Sequence, residues 1–308
     1  MPKTPYTIRN YRPSDFDGYV KLALEAEKLK PGGGCTAPQV LAEHLRRPNY
    51  SPEQDMFVIE AAGEIAGFIN LTPELAIRRV LIDYFIHPQH RRRGLAKGLL
   101  DHATQRASEL GAEVLQANVR RDNSSTRKTL SRLGFRMVRR FLELRLAISE
   151  LPEVAHHAYS LRYLESGEEA LLAHLQNRCF ADTWGYNPNT AEEIAYSLKL
   201  SGASAQDVTL VCEQGRPVGY CWARINCGSE RGGEGKRGRI FMLGVDPSYR
   251  GRGIGKIALL AGLAHLKSRG VLTVELTVDS QNQAALALYH SLGFELWTSS
   301  LYYEKRIA

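Results

Sequence analysis

Two short stretches of this chain have the composition to hold a polyanion, and they share one form. Arg250-Gly251-Arg252-Gly253-Ile254-Gly255-Lys256 follows an apolar run ending in Leu243-Gly244-Val245 and opens a long apolar helix. Arg91-Arg92-Arg93-Gly94-Leu95-Ala96 follows a run ending in Phe85-Ile86 and opens a helix in the same way. Small residues let the backbone turn tightly and approach a ligand closely. Several N–H groups then converge beside the positive end of a helix dipole. The arginines add full charges, and the expected occupant is a pyrophosphate. A single match would suit a basic turn that merely caps a helix. Two matches in register, each strand then turn then helix, argue for a ligand.

A second chemical group follows each turn. Asn282 to Phe294 reads as a helix carrying Tyr289 and ending at Leu292-Gly293-Phe294. The first half repeats Asn123, Gly134 and Phe135, but Leu130 stands where the tyrosine would be. A phenol with a pKa of about 10 stays protonated at neutral pH and can donate a proton. Leucine cannot. Asn282 suits a helix N-cap and is also a candidate to touch the ligand, although capping alone would explain it.

The elements that position these groups form an internal repeat. Tyr6-Thr7-Ile8-Arg9 matches Tyr159-Ser160-Leu161-Arg162, and helical stretches follow at Phe16 to Leu29 and at Glu168 to Cys179. Second short helices follow at Pro38 to Arg46 and Thr190 to Leu198, then hairpins turning at Gly63 and Gly215. The offset between copies is 152 at Gly67 and Gly219 and becomes 159 at Arg91 and Arg250, which places seven extra residues within Asn226 to Gly238. The helix after each turn has core spacing, and Leu259, Leu263 and Leu266 make the second one apolar on more than one side. A strand (Glu113 to Val119; Leu272 to Val278), an Asx-rich corner, a helix and closing strands complete each copy. The expected architecture is α/β (α+β): two modules, 1–147 and 158–308, each a mixed sheet flanked by helices, with a linker around Leu151-Pro152-Glu153.

Composition sets the outer limits. At 308 residues, 44% apolar and 24% charged, the chain can build two ordinary globular cores. A net charge of +7 suits an anionic ligand but is too dispersed to demand nucleic acid. His87 and His90-Arg91-Arg92-Arg93 lack the interleaved aromatics of a nucleic-acid surface. Five cysteines (Cys35, Cys179, Cys212, Cys221, Cys227) with no C-x-x-C pair read as reduced thiols of a cytosolic protein. Cys35 has no identifiable activating base, and His156-His157 has no ligand-spaced partners, so no metal is expected. The N-terminus shows no signal sequence, and no apolar run is long enough for a membrane span.

Both halves resemble GNAT-superfamily acyltransferase domains. The resemblance rests on Arg91-x-x-Gly94-x-Ala96 and Arg250-x-x-Gly253-x-Gly255, similar to the superfamily's acetyl-CoA pyrophosphate signature, and on the Asn282 to Phe294 helix. It covers nearly the whole chain. It implies acetyl-CoA as donor and a primary amine, most simply of a small molecule, as acceptor, by direct transfer in a ternary complex. It places a backbone N–H of Leu243-Gly244-Val245 at the thioester oxygen, pairs that strand with the pantetheine arm, and puts Tyr289 at the acid position. The C-terminal half is then the catalytic one and the N-terminal half a structural or ligand-holding copy. Many members carry a glutamate base where this chain has Arg239, and the same offset puts Val80 there in the first copy. Arginine stays protonated and cannot be a base. Asp182 and Glu234 are candidates, Asp246 reads as a turn residue, and the base stays unassigned. Asp182, Trp184 and Tyr186 lie in the loop that shapes the amine pocket in this fold; a packed aromatic cluster closing the domain explains them equally well. A peptide or protein N-terminal acetyltransferase, or a non-catalytic acyl-CoA-binding protein, are the alternatives. The protein is expected to be a monomer or homodimer.

Overall fold

The computed structural model describes residues 6–28, 37–148, 158–225 and 236–307. Cys35, Cys227, Glu234, His156, His157 and the 149–157 linker lie outside the described residues. Among those described, no helix is long and apolar enough to cross a membrane, and no cluster of side chains is suited to a metal ion.

The first half runs β1 (Tyr6–Asn10), α1 (Phe16–Lys28), α2 (Pro38–Leu45), α3 (Pro52–Asp55), β2 (Met56–Ala61), β3 (Glu64–Glu74), β4 (Arg79–Ile86), α4 (Leu95–Glu109), β5 (Val114–Arg120), α5 (Ser124–Arg132) and β6 (Arg136–Ala147). The second half repeats it with β7 (Ser160–Tyr163), α6 (Glu169–Phe180), α7 (Ala191–Lys199), β8 (Val208–Glu213), β9 (Arg216–Ile225), β10 (Arg237–Val245), α8 (Ile254–Ser268), β11 (Thr273–Asp279), α9 (Gln283–Ser291) and β12 (Glu295–Arg306). The helical periodicity survives in the packing. Leu95, Leu99, Leu100, Ala103 and Ala107 form the buried face of α4. On α8, Ala258, Leu259, Leu260, Leu263 and Leu266 are all buried, so that helix is covered on more than one side.

The compact units are not the two halves. One comprises Met1–Arg140 with Ser300–Ala308, the other Phe141–Ser299. The split at 147 and 158 expected from the repeat is therefore displaced, because the closing strand of each half is exchanged. In the first unit β1 to β5 follow in order, and residues 300–306 of β12 pair antiparallel with β5. Leu301 and Tyr303 enter that unit's core, and Gln116 Nε2 donates to Glu304 at 2.7 Å. In the second unit β7 to β11 follow in order, and residues 141–147 of β6 pair with β11. Leu142, Leu144 and Leu146 alternate inward against α8, while Arg145 meets Glu275 at 2.7 Å on the opposite face. Period-two patterning says which face of a strand is buried. It does not say which sheet receives the strand.

This exchange carries a stability prediction. Leu144 belongs by sequence to the first half, but it is fully buried in the second unit. All three tryptophans (Trp184, Trp222, Trp297) also lie in the second unit. Leu144→Ala is expected to cost about 2–5 kcal/mol, seen as an earlier tryptophan-fluorescence transition in denaturant. An unchanged tryptophan transition would place β6 elsewhere.

Candidate active site

The basic turn of the second unit is built from the strand end outward. Asp246 is 2% exposed and accepts from Ser248 N at 3.0 Å, which sets the short turn at Pro247–Tyr249. Arg178 of α6 grips the same carboxylate at 2.9 and 3.0 Å and, with burial opposing, holds its pKa below the usual range. Asp246 is thus a turn residue and also an ion-pair anchor, a role with no local signal in the sequence. Gly251 and Gly253 both take left-handed φ values, +78° and +79°, and a Cβ at either would meet no protein atom within 4 Å. Glycine is required there by conformation, and the space beyond is open to a ligand. The amides of Gly251 to Gly255 make no backbone hydrogen bond among the described residues and stand at the start of α8. That is an anion nest on a helix N-terminus.

The side chains of this turn divide the work. The Arg250 guanidinium donates to Cys179 O at 2.7 Å and Val245 O at 3.4 Å, so it braces the turn against α6 and β10. Arg252 reaches Ser248 O at 3.4 Å and lies 3.8 Å from Glu213. Ile254 is buried, and Lys256 is exposed on the first helical turn. In the first unit Gly94 has φ +78°, Leu95 is buried, Arg93 and Ala96 flank it, and Arg91 Nε donates to Ile86 O at 2.8 Å. Arg92, with φ +62°, stands where the second copy has Gly251. Both cradles share one geometry. Asn123 and Asn282 each cap their helix, accepting from Thr126 N and Ala285 N at 3.1 Å.

Beside each cradle a parallel strand pair comes apart. Pairing of β10 with β11 stops at Ile240 and Leu276, although the strands run on to Val245 and Asp279. Pairing of β4 with β5 stops at Leu81 and Gln116, with Phe85 and Ile86 lying further along β4. The edge of Leu243-Gly244-Val245 therefore faces a gap. Gly244 has no freedom to change, because a Cβ would lie 2.6 Å from the Tyr220 ring and 2.9 Å from Cys179 Cβ.

One difference separates the gaps. The β3–β4 register is unbroken from Gly67–Ile86 to Glu74–Arg79, whereas β10 bulges against β9 between Ile240 and Met242. Phe241 is the extra residue. This corrects the expected insertion. Six of the seven additional residues precede Arg237, which takes the place of Arg79, and the seventh is the bulge. Arg239 consequently corresponds to Leu81, not Val80, since Arg239 pairs with Glu275 as Leu81 pairs with Gln116. A one-residue bulge has no compositional signature, which is why counting between motifs misplaced it.

On the α8 side of the second gap lies Tyr289, 7% exposed, its ring edge-on to Phe294. Burial, with a smaller contribution from Cys221, raises its phenol well above 10, so it stays protonated through neutral pH. In the first unit Leu130 and Tyr84 line one apolar cavity with Ile82, Leu99 and Phe135. Tyr84 stands where β10 has Leu243, so strand and helix have exchanged a phenol for a leucine between the copies. Burial pushes the Tyr84 phenol to about 12.

The opposite face of the second sheet is aromatic at this end. Phe241 is 46% exposed and sits edge-on to Trp222 at 5.3 Å. Arg224 lies over both rings, at 4.5 and 4.3 Å. Arg239 donates to Thr277 Oγ1 at 2.5 Å. Of the three loop residues expected at an amine pocket, Trp184 packs near Phe141 of β6 at 6.1 Å. Tyr186 is stacked on Phe180 and donates to Asn177 Oδ1 at 2.9 Å, so it closes the domain. Asp182 is exposed. The described thiols Cys179, Cys212 and Cys221 are buried and unbridged, with burial pushing Cys179 and Cys221 to about 12.

Two copies of one α/β module, each with an anion nest beside a split parallel pair, define a tandem architecture suited to a phosphate-bearing ligand. A family model described as the acetyltransferase (GNAT) family matches residues 27–135 and again 170–294. The chain belongs to the GNAT acetyltransferase family, in tandem form, and is an N-acetyltransferase. Among curated relatives, the mycothiol acetyltransferase of Thermobispora bispora is 34% identical over 79% of this chain and 80% of its own. That of Thermomonospora curvata is 30% identical over 91% of this chain and 98% of its own. Among solved structures, a tandem GNAT protein from the clavulanic acid biosynthesis pathway superposes with a TM-score of 0.75 at 16% identity, covering 99% of both chains. A GCN5-related N-acetyltransferase from Sphaerobacter thermophilus gives 0.74 at 21% identity, over 99% of this chain and 97% of that one.

Proposed function

We propose that the second unit transfers an acetyl group from acetyl-CoA to the primary amine of a small molecule, and that the first unit is a non-catalytic copy. The observation that carries this reading is an asymmetry between equals. Both units keep the nest and the gap, but only the second joins them to a bulged strand and a buried helical phenol at Tyr289. The amides of Gly251 to Gly255 would receive the pyrophosphate, with Asn282 nearby, and the edge of Leu243-Gly244-Val245 would pair with the pantetheine amides. Acetyl-CoA supplies the activated acyl group. Tyr289 holds a proton for the departing sulfur, and an edge amide stabilises the oxygen that gains charge. In the first unit Arg91 to Ala96, with Phe85 and Ile86, retain the cradle, so this copy would hold the cofactor without turning it over.

The small-molecule acceptor is supported by relatives named mycothiol acetyltransferases. Trp184 and Asp182 remain in the loop bordering the acceptor face, whereas Tyr186 serves packing. The test is CoA release across a panel of small amines and peptides. Turnover with small amines supports the reading, and turnover with peptides alone would replace it with N-terminal protein acetylation. Stoichiometric acetyl-CoA binding without CoA release from any acceptor would overturn it.

A further inference from the structure

We infer that Glu143, on the strand exchanged into the second unit, is the general base of that unit's reaction. The inference rests on the proposed acetyl transfer and fills the place that Arg239 cannot. Phe141, Glu143 and Arg145 of β6 share one face of the sheet, since Leu142, Leu144 and Leu146 turn into the core with α8. Glu143 stands directly opposite Thr277 in the β6–β11 ladder. Thr277 is the first residue of β11 beyond its last pairing with β10. The carboxylate is therefore level with the mouth of the gap and one strand spacing, about 5 Å, from its edge. It lies on the face opposite Tyr289, so an acceptor entering from that face would stand between base and thioester.

Two neighbours tie Glu143 to the acceptor side. Trp184 of the 181–190 loop packs near Phe141, the next residue along the same face. Arg239 crosses to Thr277 Oγ1 from the other side of the gap. Four other carboxylates of this unit are engaged. Glu275 is held by Arg145 at 2.7 Å and faces Arg237 at 3.9 Å. Asp246 is gripped by Arg178, Asp207 is 3.0 Å from His265, and Asp279 accepts from Gln281 N. Glu143 is half-buried, and its carboxylate makes no hydrogen bond or ion pair among the described residues. A carboxylate held on a sheet beside a reaction gap, with its oxygens uncommitted, is equipped to accept a proton.

The step balances without another reagent. The amine nitrogen bonds to the acyl carbon, the carbon–sulfur bond breaks, the nitrogen's proton passes to Glu143, and the proton of Tyr289 passes to sulfur. Solvent then restores both groups.

The test uses the full chain, wild type beside Glu143→Gln and Glu143→Asp, with a small amine that supports CoA release. Glu143→Gln is expected to lower kcat about 100-fold, to lose the acid limb of the kcat/KM pH profile, and to bind acetyl-CoA as the wild type does. Glu143→Asp should restore part of the rate together with the limb. A Glu143→Gln enzyme with wild-type kcat/KM and an intact acid limb would overturn the assignment. So would a Glu143→Asp enzyme that folds and binds acetyl-CoA normally but is no faster than Glu143→Gln. A wild type that releases no CoA with any amine would instead sink the proposed reaction, so the two failures are distinguishable.

Discussion

Replacing Tyr289 with phenylalanine is expected to lower kcat about 100-fold while leaving the KM for acetyl-CoA unchanged. The ring stays, so the packing against Phe294 and the α8 core is kept, and the loss is confined to one proton donor. Because burial raises the phenol above its ordinary value, the protonated form persists as pH rises through neutrality. Tyr289 therefore contributes no alkaline limb to the rate profile below pH about 10. Leu130→Tyr, the reciprocal change, is expected to add no turnover, because the first unit has no bulge on β4 and already holds the Tyr84 phenol in the same cavity. Stopped assays at several pH values on both variants check this. Full turnover by Tyr289→Phe at neutral pH would remove Tyr289 from the mechanism.

Deleting Phe241 should be as damaging, for a geometric reason. The bulge places Phe241 outside the β9–β10 ladder: Ile240 pairs with Ala223 and Met242 with Trp222, as consecutive pairs would. Removing Phe241 thus needs no slip in register and leaves a strand like β4. A bulge adds local twist and re-aims the residues beyond it, here the edge amides of Leu243 to Val245. If one of them is the oxyanion donor, losing its aim costs about 10²- to 10³-fold in kcat. The nest is untouched, so acetyl-CoA should still bind, and calorimetry beside CoA release separates the two effects. A deletion variant with wild-type kcat would show that the bulge is incidental.

The cofactor cradle and the helical phenol were legible in the sequence because each is local. A left-handed glycine pair before a helix, or Asn282 and Tyr289 on one helix, is fixed by neighbours within a few residues. The misses are all non-local. Arg178 holding Asp246 joins α6 to the strand end across 68 positions. Glu143 gains its setting only because β6 pairs with β11, 134 positions away at Thr277. Offset counting fixed the total insertion but could not divide it between the 226–235 loop and the bulge. Tyr84 has no local signal, because a phenol in an apolar strand reads as packing and its place beside Leu130 in one cavity is set by the tertiary fold.

The exchanged strands also bear on how the chain is made. A first domain ordinarily folds as it leaves the ribosome, at about 5–20 residues per second. Here β5 has no partner on its outer edge until residues 300–306 have been synthesised. From the end of β5 that is a wait on the order of 10 s. Throughout it, Leu301 and Tyr303 are missing from the core they complete, and an open strand edge invites wrong pairing. The first module, translated ahead of the second, is completed only after it, so deleting residues 300–306 should damage the first unit.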